Sequence, residues 1–189
     1  MPKLNLHILF VLPLLLLSGL APAQEKAYTT VSGSVFFRSD AKLEKIEAKS
    51  TALKGILKPG TGEFAFSILI NSFDGFNGEL QKEHFRENYM ESDRFPKASF
   101  EGRMIEKEDV SRSGNYDIRA KGMLSIHGVS MERIIKVNIV SSESQIKVRA
   151  IFSVFLNDHA ILIPKVVQQK IAEEIYVEVD AVFKLRSSP

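Results

Sequence analysis

Residues 175–185 read IYVEVDAVFKL. In an extended chain Ile175, Val177, Val179, Ala181, Phe183 and Leu185 share one side, and Tyr176, Glu178, Asp180 and Lys184 the other, with Val182 the exception. A helix would scatter these residues around its circumference. At period two they sort into an apolar and a polar face, as a half-buried strand requires. Seven further segments pass the same test. Working back, residues 144–156 align Ile146, Val148, Ala150, Phe152, Val154 and Leu156 against Lys147, Arg149 and Ser153. Residues 130–140 align Ile135, Val137 and Ile139, and residues 115–127 align Tyr116, Ile118, Ala120, Leu124 and Ile126. Residues 97–105 place Ala98 with Phe100, and residues 63–73 align Phe64, Phe66, Ile68 and Ile70 after the turn Pro59-Gly60-Thr61-Gly62. Residues 28–39 carry Val31, Val35 and Phe37. Residues 44–57 form the most blurred strand, because Ala48, Ala52 and Leu53 break its alternation.

Eight antiparallel strands with one apolar face close either as a sandwich or as a barrel. Several of these strands run well beyond the usual ~5–6 residues. They contain interior glycines (Gly33, Gly55, Gly102, Gly122) of the kind that bend coiled strands. The expected architecture is therefore an all-β, eight-stranded closed barrel, a size whose interior is filled by side chains or holds one small ligand. Two longer excursions interrupt the series. Residues 76–90 read as a short helix between the third and fourth strands, with Asn77 as N-cap. Residues 157–172 contain Pro164 and a helical turn or two through 166–171.

The chain begins with a secretory signal: Lys3, an apolar run over residues 8–17, then Ala21-Pro22-Ala23, which places cleavage before Gln24. A membrane anchor would need ~20 apolar residues, and Pro13 and Ser18-Gly19 argue against one. Residues 24–189 are expected to form one exported domain, periplasmic or secreted, with no integral membrane segment left. There is no cysteine, hence no disulfide, thiolate metal site, cysteine nucleophile or lipoprotein anchor. With 25 basic against 23 acidic residues, nothing suggests a nucleic-acid partner.

The loops add a family resemblance. Arg94-Phe95-Pro96-Lys97-Ala98-Ser99-Phe100 resembles the FPKATF-like segment of the YceI family of lipocalin-like polyisoprenoid-binding proteins. Gly122-Met123-Leu124-Ser125-Ile126-His127-Gly128-Val129 resembles that family's G-x-L-T-I-x-G-V hairpin. His84-Phe85 ahead of Phe95-Pro96, and Ile161, Ile163-Pro164 and Lys170-Ile171 in the late loop, extend the likeness over roughly residues 27–185. Ser125 in place of threonine, and Met131-Glu132 in place of Lys-Pro, mark a divergent member.

The resemblance implies an apolar lumen that takes a long isoprenoid chain, with no catalytic residue, cofactor or metal. The lining would come from the apolar stripe: Val35 and Phe37; Phe64, Phe66 and Ile68; Phe100; Ile118, Leu124 and Ile126; Val137; Val148 and Phe152; Val177 and Val179. From the residues alone, the same stripe reads more simply as a dry, solid core. A ligand reading is energetically sound, since eight buried methylenes at ~0.8 kcal/mol each would contribute ~6 kcal/mol before association costs.

Other chemistry finds little support. His84, His127 and His159 show no metal-ligand spacing and read as surface or loop-packing imidazoles, although the fold could bring two together. There is no nucleophile elbow and no phosphate-binding glycine loop, and Asp158-His159 is an adjacent pair rather than a triad. Carboxylate pairs meet only in three dimensions and stay open. The chain is therefore read as a non-enzymatic lipid binder, with Lys42, Arg94 and His84 as unassigned candidates for a head group. The rival reading is a solid barrel that binds a protein partner or forms a homodimer through Tyr176 and Val182. The apolar residues of the first excursion (Phe76, Leu80, Phe85, Tyr89, Met90) predict that it packs over a barrel opening or wall and governs access.

Overall fold

A computed structural model describes residues 26–186; the expected signal segment and its cleavage site lie outside the described residues. Nine strands form one sheet: β1 (Tyr28–Asp40), β2 (Lys45–Ser50), β3 (Lys54–Lys58), β4 (Glu63–Leu69), β5 (Lys97–Met104), β6 (Gly114–Ile126), β7 (Val129–Ser141), β8 (Ile146–Phe155) and β9 (Glu174–Leu185). Neighbours pair antiparallel from β3 to β9, and β9 returns to β1, from Tyr28 opposite Leu185 to Ser39 opposite Ile175. This pairing closes the barrel, while the outer edge of β2 meets no strand and is bridged at Lys49 to Asp74.

The barrel has eight staves because β2 and β3 lie end to end on the same edge of β1. Val35–Asp40 pairs with Ser50–Lys45, and Tyr28 and Thr29 pair with Leu57 and Ile56. The expected single strand over 44–57 is thus broken at residues 51–53. Both halves keep one register against β1, while Leu53 turns inward and packs within 3.3 Å of where a Cβ on Gly33 would sit. An inward-turning residue at that point is what blurred the alternation. The opposite edge of β1 carries a bulge between Thr30 and Ser32, which puts Val31 outside, 57% exposed.

At β5–β6 the backbones approach closely. Gly102 faces Gly122 in register, and a Cβ on Gly102 would lie 2.1 Å from the Lys121 carbonyl oxygen. One end of the barrel is solid. There Phe183 and Val110 are fully buried, Phe66 meets Phe183 edge-on at 5.6 Å, and the Ser141 hydroxyl donates to the Val110 carbonyl at 2.6 Å. Leu185, expected on the core face, is half exposed because β9 runs past this end.

Both excursions lie at the other end. The first folds into α1 (Glu79–His84), which runs into one π-helical turn, Phe85–Tyr89. Its cap is Gly78, without a side-chain bond. Asn77 does not cap it; its amide donates instead to the Lys45 carbonyl at 3.0 Å and so ties the excursion to β2. Four rings fasten the excursion to the barrel: Phe85 stacks on Phe37 at 5.3 Å and contacts Phe73 and Phe76 at 5.9 and 5.0 Å. Each such pair is worth ~0.5–1.5 kcal/mol beyond its buried area. The late loop holds two single 3-10 turns, Leu156–His159 and Lys165–Val167, the first of which the alternation pattern did not suggest.

Candidate lipid cavity

The fourteen stripe residues alternate with outward, mostly polar ones, and ring closure brings all of them around one space. Val35, Phe37, Phe64, Phe66, Ile68, Phe100, Ile118, Leu124, Ile126, Val137, Val148, Phe152, Val177 and Val179 line a cavity of about 540 Å³ that reaches the excursions. The volume lies within the ~300–1,000 Å³ typical of small-ligand sites. Three alanines, Ala98, Ala120 and Ala150, stand in its wall where larger side chains would fill the void.

The stripe omitted the residues that finish the cavity. Leu53 and Leu57 enter from the broken strand. Phe76, Leu80, Phe85, Tyr89 and Met90 come from the first excursion, whose apolar content was the available signal. Ile161, Val167 and Ile171 come from the late loop. Burial pushes the Tyr89 phenol up, so it stays neutral at the wall. Polar groups gather at the mouth: Glu44 accepts from Gln81 at 2.8 Å, and His84 and Lys170 also border the space. Of the three head-group candidates only His84 is there. Arg94 instead lies over the Phe95 ring at 4.9 Å, and Lys42 is exposed outside the lining.

The two resembling motifs meet in space. His127 and Gly128, both at positive φ (51° and 74°), form the tight turn between β6 and β7. The His127 ring lies edge-on to Phe95 at 4.7 Å, and a Cβ on Gly128 would fall 2.4 Å from the Phe95 ring. Two histidines also converge, bound to protein groups. His127 Nε2 bonds the Glu91 carboxylate at 2.7 Å and Nδ1 bonds the His159 carbonyl at 3.2 Å. His159 is fully buried, a loop-packing imidazole rather than a surface one, and its Nδ1 donates to the Val129 carbonyl at 3.1 Å. Glu91, His127 and Ala160 adopt left-handed backbone at this junction, each at a cost of ~1–2 kcal/mol for a residue with a side chain. Among the described residues, no cluster of three or more His, Asp or Glu could hold a metal ion.

Burial lowers the pKa of His159 below its ordinary 6.5, and Arg133 and His127 act in the same direction; the Val129 bond and Asp158 oppose it. The unfolded chain therefore takes up a proton that the folded chain refuses. Stability from this group is whole above pH 6.5 and is lost as the pH falls toward the lowered folded-state value. His159→Asn, which keeps a donor for the Val129 carbonyl, is expected to flatten the fall in melting temperature between about pH 7.5 and about pH 5. Melting curves with the same pH slope in both proteins would refute this.

Fold and cavity together define a class, a closed antiparallel barrel around an apolar cavity that opens at one end. A YceI-like domain model matches residues 21–183, and the chain belongs to that family. The barrel is similar to a polyisoprenoid binding domain from Saccharophagus degradans (16% identity, 86% of this chain and 100% of that one, TM-score 0.75). It is also similar to Burkholderia cenocepacia BcnA (14% identity, 79% and 95% covered, TM-score 0.66). A Campylobacter jejuni YCEI protein aligns over the whole of both chains at 14% identity with a TM-score of 0.53. No curated protein sequence matches this chain significantly. Among the described residues, no helix is long and apolar enough to cross a membrane.

Proposed function

We propose that this protein is an exported, non-catalytic carrier that holds an isoprenoid-type or similar long apolar chain in its barrel, the fourteen stripe residues supplying the contacts. The observation that carries this reading is the cavity of about 540 Å³ with hydrocarbon walls. A solid barrel would leave no such space. At about 30 Å³ for each water-sized group, it accommodates roughly 18 carbons. Burying that many at ~0.8 kcal/mol each contributes on the order of 14 kcal/mol, set against association costs of ~4–15 kcal/mol. No ion pair is needed for useful affinity. Gln81, His84 and Lys170 at the mouth are placed to meet a polar head group.

Export is supported by the leading apolar run and the Ala21-Pro22-Ala23 site, and implies a periplasmic or extracellular carrier. The test is native mass spectrometry of protein purified from the envelope or medium of the producing cells. The expected spectrum shows a monomer with a bound lipid that organic extraction removes. An unliganded protein that takes up no geranylgeraniol would favour the solid-barrel interaction module instead. Tyr176, one of the residues offered for a homodimer contact, is engaged within the chain by the Arg38 guanidinium at 4.9 Å and by Phe36.

A further inference from the structure

Besides the outer edge of β2, which the chain leading into the first excursion covers through the Lys49–Asp74 backbone bonds, the wall of the barrel has two breaks in its hydrogen-bonded ladders. The break between β1 and β2–β3 is filled: Ala52 bridges Gly33, the Gly55 N–H donates to Thr30 Oγ1 at 3.0 Å, and Leu53 is buried beneath. The second lies between β7 and β8. β7 pairs with β6 along its whole length, from Val129 to Ser141, and β8 pairs with β9 from Ile146 to Phe155. Their mutual ladder nevertheless stops at Val137 opposite Ala150. Residues 129–136 and 151–155 therefore face one another without pairing, alongside the part of the cavity nearer the excursions.

Side chains alone span this seam. Arg133 donates to the Ser153 carbonyl at 2.8 Å and reaches Asp158 at 3.4 Å. Beyond it the 156–159 turn is held by the His159–Val129 and His127–His159 bonds, with the left-handed residues His127 and Ala160 on either side. Behind the seam, Ile135, Phe152 and Val154 belong to the cavity lining. On its outer lips, Ile134, Ile151 and Phe155 are 57%, 48% and 46% exposed, and Leu162 next to the turn is 77% exposed. Exposed apolar groups are ordinary when scattered. Here they border an unladdered stretch of wall that side chains close, with hydrocarbon on its inner side.

We infer that the β7–β8 seam is a lateral portal whose apolar lips contact a lipid bilayer, so that a guest chain passes between membrane and cavity without crossing water. A bilayer is the occupant that fits, because the lips are continuous with a cavity that needs hydrocarbon from somewhere. The inference rests on the lipid-carrier reading. The opposite side of the mouth is the poorer route, since the cluster of Phe37, Phe73, Phe76 and Phe85 fastens it.

The chain has no cysteine, so introduced thiols can be joined selectively. Transfer of tritiated geranylgeraniol from phosphatidylcholine vesicles is measured for the wild type and for Ile134→Cys/Ser153→Cys joined by a short bis-maleimide. The joined protein is expected to load about tenfold more slowly or worse, at unchanged final occupancy. The unjoined pair should keep the wild-type rate. A matching link between the paired positions Asp117→Cys and Asn138→Cys should leave loading unchanged. Arg133→Ala, which removes the cross-seam bonds, is expected to load several-fold faster. Wild-type rates in both the joined protein and Arg133→Ala would overturn the portal while leaving lipid binding intact. A wild type that takes up no geranylgeraniol would overturn both. Dimerisation abolished by Ile134→Asp would assign the lips to a second copy of the chain and overturn the bilayer contact.

Discussion

Ala150→Phe is expected to cut lipid affinity by roughly two orders of magnitude while leaving the barrel folded. Ala150 points inward from β8 between the rungs of Val137 and Val179, is 8% exposed and lines the cavity. A phenyl ring there occupies space that a guest would otherwise fill with about four carbons. At ~0.8 kcal/mol each, the loss is ~3 kcal/mol, or about a hundredfold in Kd. The same ring fills a void, so the melting temperature should hold or rise. Titration with geranylgeraniol alongside a melting curve reads both effects. Ala120→Phe, entering from β6, is the companion in case Ala150→Phe fails to fold. Full affinity in a folded, cavity-filled variant would mean that the lipid sits elsewhere.

Gly102→Val is expected to be the most damaging single change to stability. The added Cβ would lie 2.1 Å from the Lys121 carbonyl oxygen and 2.5 Å from the Gly122 Cα, both backbone atoms that no side-chain movement relieves. β5 and β6 would have to separate, which breaks the ladder from Ser99 to Met104 in the middle of the wall. Overpacking ordinarily costs ~1–3 kcal/mol, and a backbone clash on this scale belongs at or beyond the top of that range. For a domain of this size, ~3 kcal/mol corresponds to a fall of about 6–12 °C in melting temperature. The same substitution at Gly78, where a Cβ meets nothing within 4 Å, should be mild by comparison. Equal losses at the two positions would show that the close approach of β5 and β6 does not exist in solution.

Much of this architecture was legible in the chain because the side-chain period of a strand is a local property. Where neighbours alternated cleanly, as in β6, β8 and β9 up to Phe183, the core-facing set was readable; Leu185, beyond the solid end, is half exposed. Where the backbone departs from period two, the reading failed. Leu53 turned inward against the expected register, and one strand became β2 and β3. The N-terminus of α1 failed for a related reason: Asn77 is a good cap by composition, but the Lys45 carbonyl of β2, thirty-two residues away, captured its amide. His159 could not be read as buried because nothing in residues 157–160 reports that the Val129 carbonyl lies beside it.

By itself the sequence determined the all-β class, the preference for a barrel over a sandwich, the face each stripe residue presents and, through Phe95-Pro96 and the Ile126–Val129 turn, the family resemblance. These depend on residue type and spacing along the chain. Whether the stripe meets as a solid core or surrounds a void was decided only by the tertiary structure. Inward direction is set residue by residue, whereas the space left over depends on the ring of eight staves, on three alanines in its wall and on the two excursions that cover one end. The unladdered seam between β7 and β8 has the same origin. Both strands alternate correctly, and only their placement around the ring shows that they part beyond Val137 and Ala150.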